Sequence, residues 1–158
     1  MTNPFAQQTA KHFHDIHFGG NWTVSNVKGQ LEKISMEEAL IQVEDFNTIA
    51  TLTFHMSYFV DVALNFFKNG KVVGEDKLSF NHPPIHSEED WRMMISHYLI
   101  QAEELTEIIK SLPDEKLLAD FGESKYGNHF RNLHGIVEHT HYHLGQISLI
   151  KKMIASKA

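Results

Sequence analysis

Histidine is the residue type that stands out in this sequence, because the 158 residues include twelve histidines and no cysteine. Without cysteine the chain forms no disulfide, zinc knuckle or iron–sulfur cluster of its own, so a bound metal ion must use nitrogen and oxygen ligands. His139 and His143 lie four residues apart in a segment with helical periodicity. This spacing places two imidazoles on one face of a helix, where both can reach one ion.

The directions of the side chains on predicted helices indicate a third ligand. Each helical residue turns by about 100°, which puts His143 about 40° from His139, where both border the apolar stripe of their helix. On the helix predicted over Phe46–Phe67, His55 stands at the same edge of its own apolar stripe. We therefore predict that His55, His139 and His143 bind one divalent metal ion.

Two polar residues of the last helix are candidates to assist this site. Asn132 lies at about 20° and Gln146 at about 340° from His139, so either side chain is expected to orient an imidazole or to touch a substrate. Among carboxylates, Asp45 and Asp61 lie at the edge of the inward arc, and no general base is predicted. The other histidines are expected to be solvated or hydrogen-bonded: His12, His14, His17, His82, His86, His97, His129, His134 and His141.

Three neutral imidazoles leave coordination positions open, which is typical of catalytic rather than structural metal sites. An ion held in this way acidifies a bound water or polarises a ligand atom, so the protein needs no nucleophile of its own. Nickel and zinc both accept nitrogen ligands, and the residues do not choose between them. The alternative interpretation is that His-x-x-x-His has arisen by chance in a histidine-rich chain, leaving a non-catalytic helical module with a structural metal or none.

The elements that must position these residues are helices. Apolar residues recur every three or four positions in four long segments. These segments predict an all-α fold, a four-helix bundle formed by a single domain over residues 1–158, in which the connection Lys71–His86 serves as a long crossover or a lid. The predicted long helices are Phe5–Phe18, Phe46–Phe67, one that follows an N-cap at Ser87 and reaches Ile109, and Asn128–Ile154.

Shorter helices are predicted between the long ones. Asn21 is expected to cap a segment after the first helix, and Ser35 with Glu38 has the Ser-x-x-Glu form of a capping box that starts a short helix through about Val43. Pro113 is expected to begin another short helix. The apolar side of the segment after Asn21 is predicted to consist of Trp22, Val24, Val27 and Leu31.

Charge and hydropathy exclude several classes of partner. The net charge is −6 and no sustained block of lysine or arginine occurs, so no nucleic acid or anionic membrane surface is expected to bind. No segment approaches the roughly 20 apolar residues of a membrane span. The segment 1–8 lacks the basic start and apolar run of a signal peptide, so a cytoplasmic location is expected.

The segment Gly135–Ile147 (GIVEHTHYHLGQI), with His55 in the second long helix, resembles the DinB-like (YfiT-like) superfamily of metalloproteins. The hallmark of that superfamily is a His-x-x-x-His in the last helix, often followed by Gly-Gln, with one more histidine from an earlier helix. The resemblance extends over nearly the whole chain. Three further segments resemble an uncharacterised bacterial branch: Phe18–Trp22, Ser79–Ile85 and Lys125–Asn128.

The resemblance implies a four-helix bundle, a divalent ion such as nickel or zinc on His55, His139 and His143, and frequently a homodimer. Characterised members of the superfamily include metal-dependent transferases and isomerases that use low-molecular-weight thiols, and others are described as hydrolases. The expected function is therefore a metal-dependent enzyme that activates a small thiol or a water for reaction with a small-molecule substrate. The DNA-damage-linked name of the superfamily suggests DNA binding, which the acidic charge balance contradicts.

Overall fold

Helices make up the architecture of the described chain. The computed structural model describes residues 3–157, so Met1, Thr2 and Ala158 lie outside the described residues. The first two of these belong to the segment 1–8 that was considered as a signal peptide. Within residues 3–157 no strand occurs, and an isolated antiparallel bridge joins Asp120 to Asn128. The α-helices are α1 (Pro4–Phe18), α2 (Val27–Leu31), α3 (Met36–Leu40), α4 (Ile49–Asn69), α5 (Glu88–Ser111) and α6 (His129–Lys157), and 3-10 helices span Asp76–Phe80, Asp114–Leu118 and Ser124–Tyr126.

Each of the four long helices α1, α4, α5 and α6 packs against two of the others around one apolar core. α1 packs against α5 and α6, and α4 packs against the same two helices. All six α-helices contribute buried apolar side chains, because each presents an apolar face to its neighbours. None of the helices in the described part of the chain is at once long enough and apolar enough to cross a membrane. The largest fully buried side chains include Trp91, Tyr98, Phe13, Met56 and Leu133.

Side-chain caps fix where several helices begin. The hydroxyl of Ser35 accepts a hydrogen bond from the backbone N–H of Glu38, and the Glu38 carboxylate accepts one from the N–H of Ser35, so the predicted capping box is confirmed. Ser87 and Asp90 form the same reciprocal pair at the start of α5. Gly70 ends α4 with φ of 72°, a left-handed conformation that glycine adopts without strain.

The predicted cap at Asn21 is wrong. Asn26 caps α2, because its side-chain oxygen accepts a hydrogen bond from the backbone N–H of Gly29. The Asn21 amide instead donates to the backbone carbonyl of Ser25, in the turn before α2. Trp22 and Val24 are 99% and 83% exposed. Both precede the helix, so helical periodicity does not apply to them, and only the two later positions of the predicted apolar side are buried.

Two predicted boundaries also differ from the structure. α3 ends at Leu40 because the next residue turns to an extended conformation, although Val43 is buried as its apolar character suggested. α4 begins after Thr48, whose hydroxyl accepts the N–H of Thr51. Phe46 therefore lies outside the helix and is half exposed. In both cases a local cap or turn decided the boundary rather than the apolar pattern.

The connection between α4 and α5 carries a short helix that the sequence did not predict. The 3-10 helix Asp76–Phe80 packs against α4, and five residues are too few to show a helical period. Gly74 allows the chain to approach α4 closely, since a Cβ there would lie 2.7 Å from the Cγ2 of Val62. The hydroxyl of Tyr58 also accepts the backbone N–H of Glu75 at 2.8 Å. These contacts place the crossover against the middle of α4.

Candidate metal centre

Three histidines converge between α4 and α6. His55 lies in the middle of α4, and His139 and His143 occupy successive turns of α6. The Nε2 atom of His139 lies 2.9 Å from Nε2 of His55 and 2.9 Å from Nε2 of His143. His55 and His143 are 4% and 7% exposed, and His139 is half-buried. The three residues predicted as ligands thus form a cluster that could hold a metal ion.

Hydrogen bonds on the far side of two rings fix their tautomers. The Ser79 hydroxyl donates its proton to the carbonyl of Asp76 at 2.5 Å, so it must accept a hydrogen bond from Nδ1 of His55, which lies 2.6 Å away. The side-chain oxygen of Gln146 likewise accepts from Nδ1 of His143 at 2.6 Å. In both neutral rings the lone pair is therefore on Nε2, pointing into the cluster.

The number of available protons favours a cation among the three Nε2 atoms. His139 can carry one proton on Nε2 and donate it to either His55 or His143, each of which offers a lone pair. At the other contact of 2.9 Å a lone pair would then face Nε2 of His139 with no proton between the two nitrogens, which is repulsive. A cation placed among the three nitrogens removes this repulsion, because it accepts all three lone pairs.

The spacing of the nitrogens also fits one shared ion. Two imidazole nitrogens that bind one ion at about 2.0–2.1 Å lie about 2.9–3.4 Å apart when the angle at the ion is between a right angle and the tetrahedral angle. Both measured separations, 2.9 Å, fall at the lower end of this range. The donor set contains nitrogen alone, so it suits nickel or zinc better than magnesium or calcium.

Aromatic side chains pack against the cluster. Phe80 stacks on His55 with ring centroids 4.1 Å apart, and Phe59 contacts both His55 and His139 edge-on. Burial, together with neighbouring cluster histidines, lowers the pKa of His55 and of His139 to about 4. Burial also lowers the pKa of His143. Near neutral pH these rings are neutral, which is the form that binds metal.

Of the two assisting residues predicted from the sequence, Gln146 contacts a cluster histidine and Asn132 does not. Both hydrogens of the Asn132 amide go to backbone carbonyls, those of Tyr126 and Asn128, at 2.9 Å each. Asn132 therefore holds the start of α6, since these carbonyls precede the helix. It nevertheless lines a recess together with His139, so contact with a substrate stays a prediction.

Sequence reasoning did not identify Ser79 or Phe80 as site residues. The segment Ser79–Ile85 stood out only through its resemblance to other proteins, and nothing in its pattern indicated contact with α4. Ser79 is fully buried, which is unusual for a serine in a connection without apolar periodicity. The carboxylates at the predicted edge of the arc stay outside the cluster, since Asp61 pairs with His97 at 3.3 Å and Asp45 lines a separate cavity.

The remaining histidines do not join the cluster. His17 is fully buried, where its Nδ1 donates to the carbonyl of Phe13 and its Nε2 lies 3.3 Å from the hydroxyl of Tyr98. His129 binds the carbonyl of Ala119. The other histidines are exposed or half-buried: His12, His14, His82, His86, His97, His134 and His141.

Comparison with known proteins adds no assignment, since no family model, no curated protein and no solved structure matches this chain. The geometry of the cluster and the residues around it are therefore the basis for any statement about function.

Proposed function

We propose that this protein is a metal-dependent enzyme that uses a nickel or zinc ion on His55, His139 and His143 to activate a small thiol or a water molecule. The observation that carries the proposal is the orientation of the rings. Three neutral imidazoles turn Nε2 toward one point, and two of them are fixed in that orientation by Ser79 and Gln146. A divalent ion with three nitrogen ligands supplies a Lewis acid with open positions, which lowers the pKa of a thiol or water bound there.

The protein's own residues have three tasks in this reaction. His55, His139 and His143 hold the ion, while Phe59 and Phe80 exclude water from the buried side of the cluster. The half-buried ring of His139 leaves an open side, adjoining the recess that it shares with Asn132. A substrate reaches the centre from this side. No carboxylate of the described residues joins the cluster, so a thiol or water activated there would have to give its proton to solvent or to the substrate.

The proposal extends to the family and the assembly. The four long helices α1, α4, α5 and α6, with the crossover between α4 and α5, support the four-helix bundle that the resemblance to DinB-like proteins implies. The motif Gly135–Ile147 supports the same assignment. We include in the proposal a homodimer and a small-molecule substrate, since both follow from that resemblance.

Metal content is the first measurement. Untagged protein, purified without chelator, is analysed by plasma mass spectrometry beside His55→Ala, His143→Ala and the exposed control His86→Ala. The expected result is about one ion per chain in the wild type and the control, and none in the two cluster variants. A wild-type protein that contains no ion and cannot be loaded with nickel or zinc contradicts the proposal.

A second measurement separates a catalytic ion from a structural one. The nickel- or zinc-loaded wild type is incubated with a small thiol and an alkyl halide, and release of halide is followed as the sulfur–carbon bond forms. Ester hydrolysis is assayed in parallel for the activation of water. If His143→Ala lowers the melting temperature while neither reaction occurs in the wild type, the ion is structural and the protein is a non-catalytic module.

A further inference from the structure

A cavity lined by aromatic side chains adjoins the histidine cluster. It has a volume of about 240 Å³, and the rings of Tyr58, Phe59, Phe121 and Tyr126 form much of its wall. We call it the aromatic cavity. The connection after α4 and the segment before α6 close it on two sides, so residues from four parts of the chain meet around it.

The aromatic cavity leads toward His139. A smaller recess of about 210 Å³ is lined by His139 and Gly135, and it shares the walls Phe59, Asn132 and Ile136 with the aromatic cavity. The ring of Phe59 lies edge-on to the ring of His139 with centroids 5.0 Å apart. A molecule that extends from the aromatic cavity past these shared side chains would reach the recess beside His139.

The polar groups of the wall are one negative charge, an amide, and the hydroxyls of Tyr58 and Tyr126, which can donate as well as accept hydrogen bonds. Asp76 is the charged residue among those described along the wall, and no lysine or arginine lines the cavity. Because both hydrogens of the Asn132 amide are already bonded to backbone carbonyls, Asn132 offers a ligand its carbonyl oxygen. A carboxylate-bearing ligand would meet Asp76 without a compensating cation, whereas an ammonium or hydroxyl group finds acceptors.

The volume limits the size of the ligand. A cavity of about 240 Å³ is smaller than the sites of about 300 Å³ or more that accept drug-sized molecules, so it favours a small ligand. Aromatic walls favour a flat apolar group, through burial and through offset or edge-on ring contacts. One aromatic ring with a short side chain fits these limits.

We propose that the aromatic cavity binds the second substrate of this enzyme, a molecule with one ring or a similarly small apolar body that carries a hydrogen-bond donor or a positive charge and no carboxylate. This inference rests on the proposed function for its catalytic meaning, since the second substrate is the one that reacts with the activated thiol or water. The selectivity of the cavity itself depends on its walls alone.

Binding of three matched probes tests the proposal: 2-phenylethylamine, 2-phenylethanol and phenylacetate. Each is titrated by ligand-observed NMR at pH 7.5 into chelator-treated protein, so that no ion attracts the anion. Because Asp76 is exposed and its charge is screened, the amine is expected to bind about fivefold more tightly than phenylacetate. Equal or tighter binding of phenylacetate overturns the proposal, and so does the absence of binding by all three probes.

Two variants locate the binding. Asp76→Asn should bring the affinities of the amine and phenylacetate together while leaving that of 2-phenylethanol unchanged, and Glu75→Gln, which removes the same charge from the next residue, should keep the wild-type preference. Ile136→Trp should weaken all three probes at least about tenfold by filling the space. If Ile136→Trp does not fold by circular dichroism, the Asp76→Asn comparison decides alone, since that side chain is exposed.

The two proposals fail separately. Protein that binds nickel or zinc but none of the probes overturns the substrate class and leaves the metal centre intact. Protein that binds 2-phenylethylamine in the aromatic cavity but takes up no ion contradicts the proposed function as a metal-dependent enzyme and leaves the cavity as a ligand site. The metal content and the probe titrations are therefore measured on the same preparation.

Discussion

Replacement of Ser79 by alanine tests whether the crossover positions a ligand of the metal centre. The Ser79 hydroxyl accepts a hydrogen bond from Nδ1 of His55 at 2.6 Å and donates one to the Asp76 carbonyl. Ser79→Ala removes this acceptor, so the tautomer of His55 with its lone pair on Nε2 is no longer favoured. We expect weaker binding of nickel and zinc with little change in the fold.

The structure allows the size of this effect to be estimated. Loss of a group that orients a metal-binding histidine costs about 10–100-fold in affinity. Phe80 still stacks on the ring of His55, with centroids 4.1 Å apart. We therefore expect the ring to stay in place and only the preference between its two tautomers to be lost. The expected loss is therefore about tenfold, or about 1.4 kcal/mol. Gln146→Ala should have a similar effect through His143.

Competition titrations against a chromophoric chelator measure these affinities. The matched control is Ser111→Ala, which removes an exposed hydroxyl bonded to the carbonyl of Ile108 and should leave the affinity unchanged. Thermal unfolding of the metal-free proteins checks that Ser79→Ala still folds. An unchanged affinity in Ser79→Ala, with binding abolished in His55→Ala, would refute the orienting role of the crossover.

Three further predictions concern stability. Burial lowers the pKa of His17 to about 4. Below about pH 6.5 the unfolded chain therefore binds a proton that the folded chain does not, so the free energy of unfolding decreases as the pH is lowered. Urea titrations of the metal-free proteins at about pH 8 and about pH 5 measure this decrease in the free energy of unfolding. The decrease should be about 2 kcal/mol smaller in His17→Leu than in the wild type or in the control His12→Leu. Equal decreases would contradict this prediction. Gly74→Ala should destabilise by about 1–3 kcal/mol in the same assay, because its Cβ would lie 2.7 Å from Val62. Gly145→Ala should stabilise α6 by about 0.5–1 kcal/mol in thermal unfolding, because open space surrounds its Cβ; an unchanged melting temperature would count against it.

Helical periodicity carried most of what could be predicted. In α4 and α6 the apolar positions recur over five or more turns, so the direction of every side chain relative to the core follows from its position. His55 and His139 border these apolar stripes, and the structure places their Nε2 atoms 2.9 Å apart. The prediction of Gln146 as an orienting residue had the same basis, since it lies on the same flank of α6 as His143.

Periodicity gave no information where a contact depends on chain segments that have no repeating pattern. Ser79 reaches His55 because Gly74 and Tyr58 hold the connection against α4, and neither contact can be read from neighbours along the chain. The misplaced cap at Asn21 has a similar origin. A polar residue after two glycines could end a turn or begin a helix, and hydrogen bonding to the backbone within the turn decided between them.

The choice of histidine for all three ligand positions follows from where the cluster lies. His55 and His143 are almost fully buried, and a carboxylate at such a place would cost several kcal/mol in the metal-free protein, since it would have to be desolvated or protonated. A neutral imidazole avoids that cost, because burial lowers its pKa and leaves it uncharged. The same burial keeps the nitrogen lone pair free for an ion. The chain can therefore fold around the cluster before any ion binds, with Ser79 and Gln146 already holding the rings in the binding orientation.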